Sequence, residues 1–248
     1  MAIEICKVVI PSHKRHDRVL TTSAVANAIL CVAESQAALY KACNPNIEIV
    51  THPDSVIGLN PKRNWIIKHF GTVFQLDDDI HNLKRVYTEI GEKIAVDADT
   101  AYELIQQAAD VATQMGAYLF SFSNVPAPVG FNTQKPITVT GYHTGCAHGV
   151  IKGSKLWYDT NVNEDYFVSC LNAYHHRYSY KDSRFYWSQK DTFVSRGGLA
   201  EFRNIEREEE DFNFLQRVFG SEVITLKRNL PGKAELKHPF QKTMRLPF

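Results

Sequence analysis

Three consecutive carboxylates, Asp77-Asp78-Asp79, follow the mostly apolar residues 73–76 in VFQLDDDI. Like charges this close repel one another unless a cation or solvent compensates them. Hard oxygen donors suit magnesium or manganese, and a metal held by one or two carboxylates commonly completes its shell with substrate phosphates. A solvated acidic turn that caps a following helix accounts for the same three residues.

The segments around the triplet predict what would position it. Short apolar runs at 5–10, 28–33, 47–50 and 72–76 alternate with capped or amphipathic segments. That is the pattern of strands joined by crossover helices in a largely parallel, doubly covered α/β sheet. Between the last two runs lies LNPKRNWIIKHFG, where Asn60 can cap a helix, Pro61 suits its first position and Gly71 can close it. In such sheets ligands bind beyond the carboxyl ends of the strands, which is where both PSHKRHD and the triplet fall, so the two can share one pocket.

Farther along, residues 99–115 predict a helix with Thr100 and Glu103 as a capping box. Its apolar face is Ala101, Leu104, Ile105, Ala108, Val111, Ala112 and Met115. A strand (YLFSFSN) follows Gly116, then the Pro-rich VPAPVGFNTQKP, a surface loop of the kind that often borders a site. Strand signals return from Ile137, a helix opens near Asn163, and a last helix at 206–219 precedes a strand at 222–226. No repeat or linker divides the chain, so 1–248 is expected to form one elaborated domain.

Composition narrows the function classes. With 28 Lys plus Arg against 27 Asp plus Glu, there is no overall basic field, and any nucleic-acid binding must come from a local patch. Five scattered cysteines without a CxxC pair predict reduced thiols in a cytosol-like compartment. Neither a signal segment nor a run of about 20 apolar residues is present, so secretion and membrane insertion are not expected.

The succession VVIPSHKR, a helix carrying Lys62-Arg63-Asn64, and VFQLDDDI resembles the nucleotide-diphosphosugar half of the GT-A glycosyltransferase fold, over about residues 1–85. The resemblance implies that Pro11 and Ser12 line a nucleobase pocket, with Lys14 and Arg15 in the same loop. Arg63 would lie near the donor, and Asp77 with Asp79 would form the metal-binding DxD pair around Asp78. Residues 86–248 would then supply the acceptor side. There Glu164-Asp165 in NVNEDYFVS stands where the family's acidic pair opens a helix. A helix N-terminus keeps such a carboxylate ionised, which suits a general base for an acceptor hydroxyl and implies inversion; a structural helix-start charge would look the same. Many members add a C-terminal histidine as a metal ligand. His238 is the best-placed candidate, with His143 and His148 around TGCAHG as rivals.

The order PSHKR, VAESQAALY, GLNPKRN, QLDDDI and RGGLAEFR is also similar to the glycosyltransferases linked to DNA-base hydroxylation in kinetoplastids and phages, relatives of the base-J glucosyltransferase. That resemblance implies a UDP-sugar donor, UDP-glucose in particular, with Mn2+ or Mg2+, and DNA carrying hydroxymethylcytosine or hydroxymethyluracil as acceptor. It also implies work in the cytoplasm, that of the host if the chain is phage-encoded. Reaching a base in DNA needs aromatic faces and cations. The segment 174–190 interleaves Tyr178, Tyr180, Phe185, Tyr186 and Trp187 with Arg177, Lys181, Arg184 and Lys190, and the tail 227–245 adds Arg228, Lys233, Lys237 and Lys242. Aromatic-basic stretches of this kind also occur packed on a core with their cations reaching out. A protein, glycan or small-molecule acceptor, or nucleotidyl transfer on a similar scaffold, stays open on these residues.

Overall fold

The computed structural model describes residues 5–88, 94–125, 130–160, 162–189, 204–229, 235–236 and 238–246. The first apolar runs form β1 (Lys7–Pro11), β2 (Ala28–Ala33), β3 (Glu48–His52) and β4 (Val73–Leu76), joined through α1 (Ala37–Cys43) and α2 (Leu59–Phe70). These strands lie side by side in the order β3-β2-β1-β4, all parallel. The apolar character of β1, β2 and β4 reflects burial on both faces, while β3 at the edge stays partly exposed. Val8 and Ile10 point into a core shared with α3 (Ala98–Met115), whereas Val9 and Ile29 pack on Ile66 of α2.

Beyond β4 the sheet continues through strands supplied by the second half of the chain. These are β5 (Ile80–Arg85), β6 (Ile94–Ala95), β7 (Leu119–Ser123), β8 (Ile137–Thr138), β9 (Ala147–Val150) and β10 (Tyr180–Gln189). The full order is β3-β2-β1-β4-β9-β7-β10-β5-β6, with β8 also paired to β10. Strands β5, β8 and β9 run against the others, so the sheet is mixed but mostly parallel. Helices α4 (Glu164–His176) and α5 (Ile205–Phe219) pack together through Phe167, Leu171, Phe212 and Leu215. A separate ribbon of β11 (Ile224–Leu226) and β12 (Lys242–Met244) closes this region.

Several local expectations shift. Helix α2 is capped by Gly58 at φ +93°, and Asn60 sits inside its first turn, donating to the Thr160 carbonyl. Helix α3 is capped by Asp97, whose carboxylate accepts from both the N–H and the hydroxyl of Thr100; the shorter reach of aspartate displaces the Thr100 box. Met115, at 37% exposure, leaves the apolar face because α3 ends there. The aromatic-basic segment is largely β10, in which Tyr180, Lys181, Asp182, Phe185 and Trp187 are buried. Lys190, Lys233, Lys237, the motif at 196–203 and positions 126–129 of the Pro-rich loop lie outside the described residues. All five cysteines are unpaired thiols, and no described helix is long and apolar enough to cross a membrane.

Gly149 on β9 pairs with Phe120 on β7, and a Cβ at Gly149 would lie 2.0 Å from the Phe120 ring. The aromatic ring therefore occupies the space a side chain would need. Gly149→Ala is expected to destabilise the fold by about 1–3 kcal/mol through overpacking. Urea denaturation measures this, and adding Phe120→Leu to Gly149→Ala should recover part of the loss.

Candidate active site

The chain leaves β1 at Pro11 and β4 at Leu76, and both exits open into one cavity of about 1010 Å3. Pro11, Ser12, Arg15, Asp77, Asp78, Asp79, Glu164, Asp165 and His238 line it. Lys14 stands off the wall: its φ is +55° and its N–H donates to Gln36 Oε1. The triplet runs directly into β5, so these acids do not cap a helix.

The triplet is pinned through its backbone. Asp77 N–H donates to the Cys146 carbonyl at 2.8 Å, Thr21 Oγ1 donates to the Asp77 carbonyl at 2.5 Å, and Leu20 N–H donates to the Asp78 carbonyl at 2.9 Å. With the backbone fixed, the three side chains diverge. Asp78 turns inward, its Oδ2 accepting from Ser12 Oγ at 2.5 Å and its Oδ1 from Arg15 Nη1 at 2.7 Å. Ser12 Oγ also meets Tyr40 Oη at 2.7 Å. Asp78 thus ties the first loop to the end of β4 through both of its carboxylate oxygens.

Asp77 Oδ1 accepts from Arg63 Nη2 at 2.7 Å, and Asp79 Oδ1 accepts from Gln189 Nε2 at 3.1 Å. Arg63 is fully buried beneath the cavity; its Nη2 also donates to the Gly145 carbonyl at 2.8 Å and lies 3.9 Å from Glu164 Oε1. One guanidinium therefore joins the triplet to the acidic pair on α4 and acts through those carboxylates. A Cβ at Gly145 would come within 2.7 Å of Glu164 Oε1, so a larger residue there would push that side chain off its position beside Arg63. Asp165 Oδ2 accepts from the Tyr142 hydroxyl, and its Oδ1 accepts from Tyr166 N–H at 2.8 Å.

Burial opposes ionisation here more strongly than Arg63 favours it. Asp77 is pushed up to about 7 by desolvation, with Asp79 and Asp78 adding repulsion. Glu164 is pushed up to about 8 by desolvation and then by Asp165, and Asp79 is raised mainly by burial. A carboxylate that binds its proton more tightly folded than unfolded loses stability as pH rises between the two values. Asp77 and Glu164 should therefore contribute a loss of stability from about pH 4.5 to pH 8, opposed below about pH 6.5 by the buried neutral histidines of this region. Urea titrations of wild type and Glu164→Gln at about pH 5 and pH 8 isolate the carboxylate part: wild type should lose stability relative to the variant as pH rises, and the reverse would contradict the arrangement.

The same repulsion is what a divalent cation would relieve. Asp77 and Asp79 present hard oxygen donors at the cavity floor, a set that fits Mg2+ or Mn2+ when substrate phosphates complete the shell. Among the described residues, no three His, Cys, Asp or Glu side chains converge as a metal-holding group, so His238 lines the cavity without completing such a cluster. The rival histidines are structural. His143 is buried between Ser121 Oγ and Ser179 Oγ, each at 2.7 Å, and burial pushes its pKa well down. His148 bonds the Thr144 carbonyl and the Tyr158 hydroxyl and is pushed down to about 3 by burial.

The model of the TET-associated glycosyltransferase family matches residues 6–198. The chain belongs to this family. A comparison with curated proteins finds no match. Among solved structures, the crystal structure of S. aureus TarS 1–349 is similar with a TM-score of 0.48 and 11% identity, over 88% of this chain and 64% of that one. This chain thus spans less than two thirds of the TarS chain it matches.

The span matched by the family ends before α5, yet Glu208, Lys227, His238 and Lys242 form part of the cavity wall. A clamp that the sequence does not announce fixes the start of α4. Val162 N–H donates to Asp211 Oδ2 at 2.7 Å, Asn163 Nδ2 donates to Glu208 and Asp211 at 3.1 and 3.2 Å, and Lys242 Nζ meets Glu208 Oε2 at 3.1 Å. Lys242 is therefore a buried structural cation, which corrects its place in a basic surface tail. Likewise Tyr180 and Phe185 are core residues, and of the aromatic segment only Tyr186 and Trp187 reach the cavity wall, while Tyr174 and Tyr178 are exposed elsewhere.

Proposed function

We propose that this glycosyltransferase moves glucose from UDP-glucose to the hydroxymethyl group of hydroxymethylcytosine or hydroxymethyluracil in DNA, with inversion, in the cytoplasm. The observation that carries the reading is the buried Arg63, which links Asp77 of the triplet to Glu164 of the acidic pair across one cavity. A donor half at 1–85 and an acceptor half at 86–248 then meet at a single reaction centre. Family membership supports sugar transfer, and the link between that family and base hydroxylation supports the acceptor.

The donor base is assigned to the end near Pro11, Ser12, Gln36 and His52, at the exits of β1, β2 and β3. His52 is buried there with Nδ1 on the Pro53 carbonyl and Nε2 without a hydrogen-bond partner among the described residues. Asp77 and Asp79 would hold a divalent cation whose chemistry is to neutralise charge on the departing diphosphate. Asp165, at a helix start and oriented by Tyr142 and Tyr166, takes the proton from the acceptor hydroxyl. Glu164, beside Arg63, keeps the field between the two halves balanced.

The test incubates hydroxymethylated and unmodified DNA with the protein, manganese and a panel of nucleotide sugars, followed by mass analysis of the nucleosides. A hexose increment confined to the hydroxymethylated base is expected. Transfer to protein, glycan or small-molecule acceptors but not to DNA would overturn the acceptor assignment, and pyrophosphate release would overturn sugar transfer.

A further inference from the structure

A second cavity, of about 350 Å3, lies over the β8 and β10 side of the sheet, and Ser123 and Asn124 line both it and the main cavity. Its wall includes Thr138, Lys181 and Ser183, which share one face: Lys181 pairs across strands with Thr138, and Ser183 comes two residues later. Lys181 is only 6% exposed, and its Nζ donates to Asn124 Oδ1 at 3.1 Å and to the Tyr142 carbonyl. Neither acceptor is charged. The nearest acidic neighbour in the strand, Asp182, faces the other way and is taken by Arg184 at 2.7 Å.

Among the described residues no carboxylate pairs with Lys181 or with Lys135, the second cation on this wall. A buried ammonium without a counter-ion costs several kcal/mol, so a structure that keeps one among hydroxyls and amides is arranged to receive an anion. Burial alone lowers Lys181 to about 8, which still leaves it mostly charged at neutral pH. Among the described residues the wall contains no carboxylate to repel that anion.

Location says whose anion it is. Tyr142 accepts Lys181 at its carbonyl and donates from its hydroxyl to Asp165, so one residue spans the distance from the second cavity to the acceptor-side carboxylates. We propose that the second cavity holds a phosphate group of the acceptor, adjacent to the nucleotide whose hydroxyl is glycosylated. This rests on the acceptor being a nucleotide or a nucleic acid. The phosphate comes either from a phosphodiester chain or from a nucleoside monophosphate, and both present the same singly or doubly charged oxygens to Lys181, Thr138 and Ser183.

Two measurements decide it. The first titrates inorganic phosphate into 15N-labelled protein. The amides of Thr138, Lys181 and Ser183 should shift, and the separate changes Lys135→Met and Ser183→Ala should each weaken that response about threefold or more. Shifts confined to the Asp78 and Gly145 region, or a response unchanged in both variants, would overturn the proposal even if DNA proves not to be the acceptor. The second compares KM for a hydroxymethylated oligonucleotide, the matching nucleoside monophosphate and the free nucleoside. Lys181→Met should raise KM about tenfold for acceptors bearing phosphate and leave the nucleoside and the donor KM unchanged. A rise with the oligonucleotide alone identifies the chain phosphate, a rise with both identifies the 5′-phosphate, and an equal rise for the nucleoside sinks the idea. Because Lys181 is buried, the same kinetic pattern must appear, in weaker form, in Lys135→Met.

Discussion

Replacing Asp165 with asparagine is expected to lower kcat for sugar transfer by about 10²–10⁴-fold while leaving KM for the nucleotide sugar nearly unchanged. The carboxamide keeps the size of the side chain and can still meet Tyr142 and Tyr166, so the fold and the donor side are undisturbed. It cannot, however, accept a proton. Glu164→Gln should behave differently, because Glu164 is buried and its proton affinity is already raised to about 8. Near pH 6 it is largely protonated, and its amide is a close substitute. The loss in Glu164→Gln should therefore be small at pH 6 and grow above pH 8, whereas the loss in Asp165→Asn persists across that range. Should the two variants exchange these profiles, Glu164 is the base and Asp165 the positioning group.

Strong local periodicity made the first half legible. The four strands, helix α2 and the placing of PSHKRHD and the triplet at strand ends come from apolar runs, a proline at a helix start and a glycine at its end. The helix opening near Asn163 is legible as well, while the acidic pair at its start stands out only through the family resemblance. Features that did not show in the sequence are settled by partners distant along the chain. The inward turn of Asp78 depends on Ser12 and Arg15, which lie 66 and 63 residues away. Strand β10 reads as an aromatic-basic surface because Lys181 and Arg184 interrupt it; Arg184 does stay exposed beside Asp182, whereas Asn124 and Tyr142 make the charge of Lys181 compatible with a core. Lys242 looks like one cation of a basic tail until Glu208, 34 residues earlier, is brought beside it. Hydrophobic pattern specifies elements, while buried polar partners are specified by topology.

Arg63→Met should have the largest effect on stability, about 3–5 kcal/mol, as expected when one member of a buried ionic group is removed. Arg63 is fully buried, and its Nη2 alone serves Asp77, the Gly145 carbonyl and, at 3.9 Å, Glu164. Methionine fills much of the volume but leaves two carboxylates facing each other without a cation. Both already bind protons more tightly than usual, at about 7 and about 8, and loss of Arg63 raises them further. The variant can escape at low pH by protonating both groups, and it cannot at high pH. The difference in unfolding free energy between wild type and Arg63→Met should thus be small at pH 5.5 and large at pH 8, the sign set by the extra protons the folded variant binds. Arg63→Lys should recover only part of the loss, because the lysine ammonium ends nearer the backbone than Nη2 and is more strongly hydrated, so it is costlier to bury. A loss of equal size at both pH values would mean that Arg63 contributes by packing on Tyr158, whose ring lies 5.8 Å from the guanidinium, and that the bridge between the triplet and the acidic pair carries little of the energy.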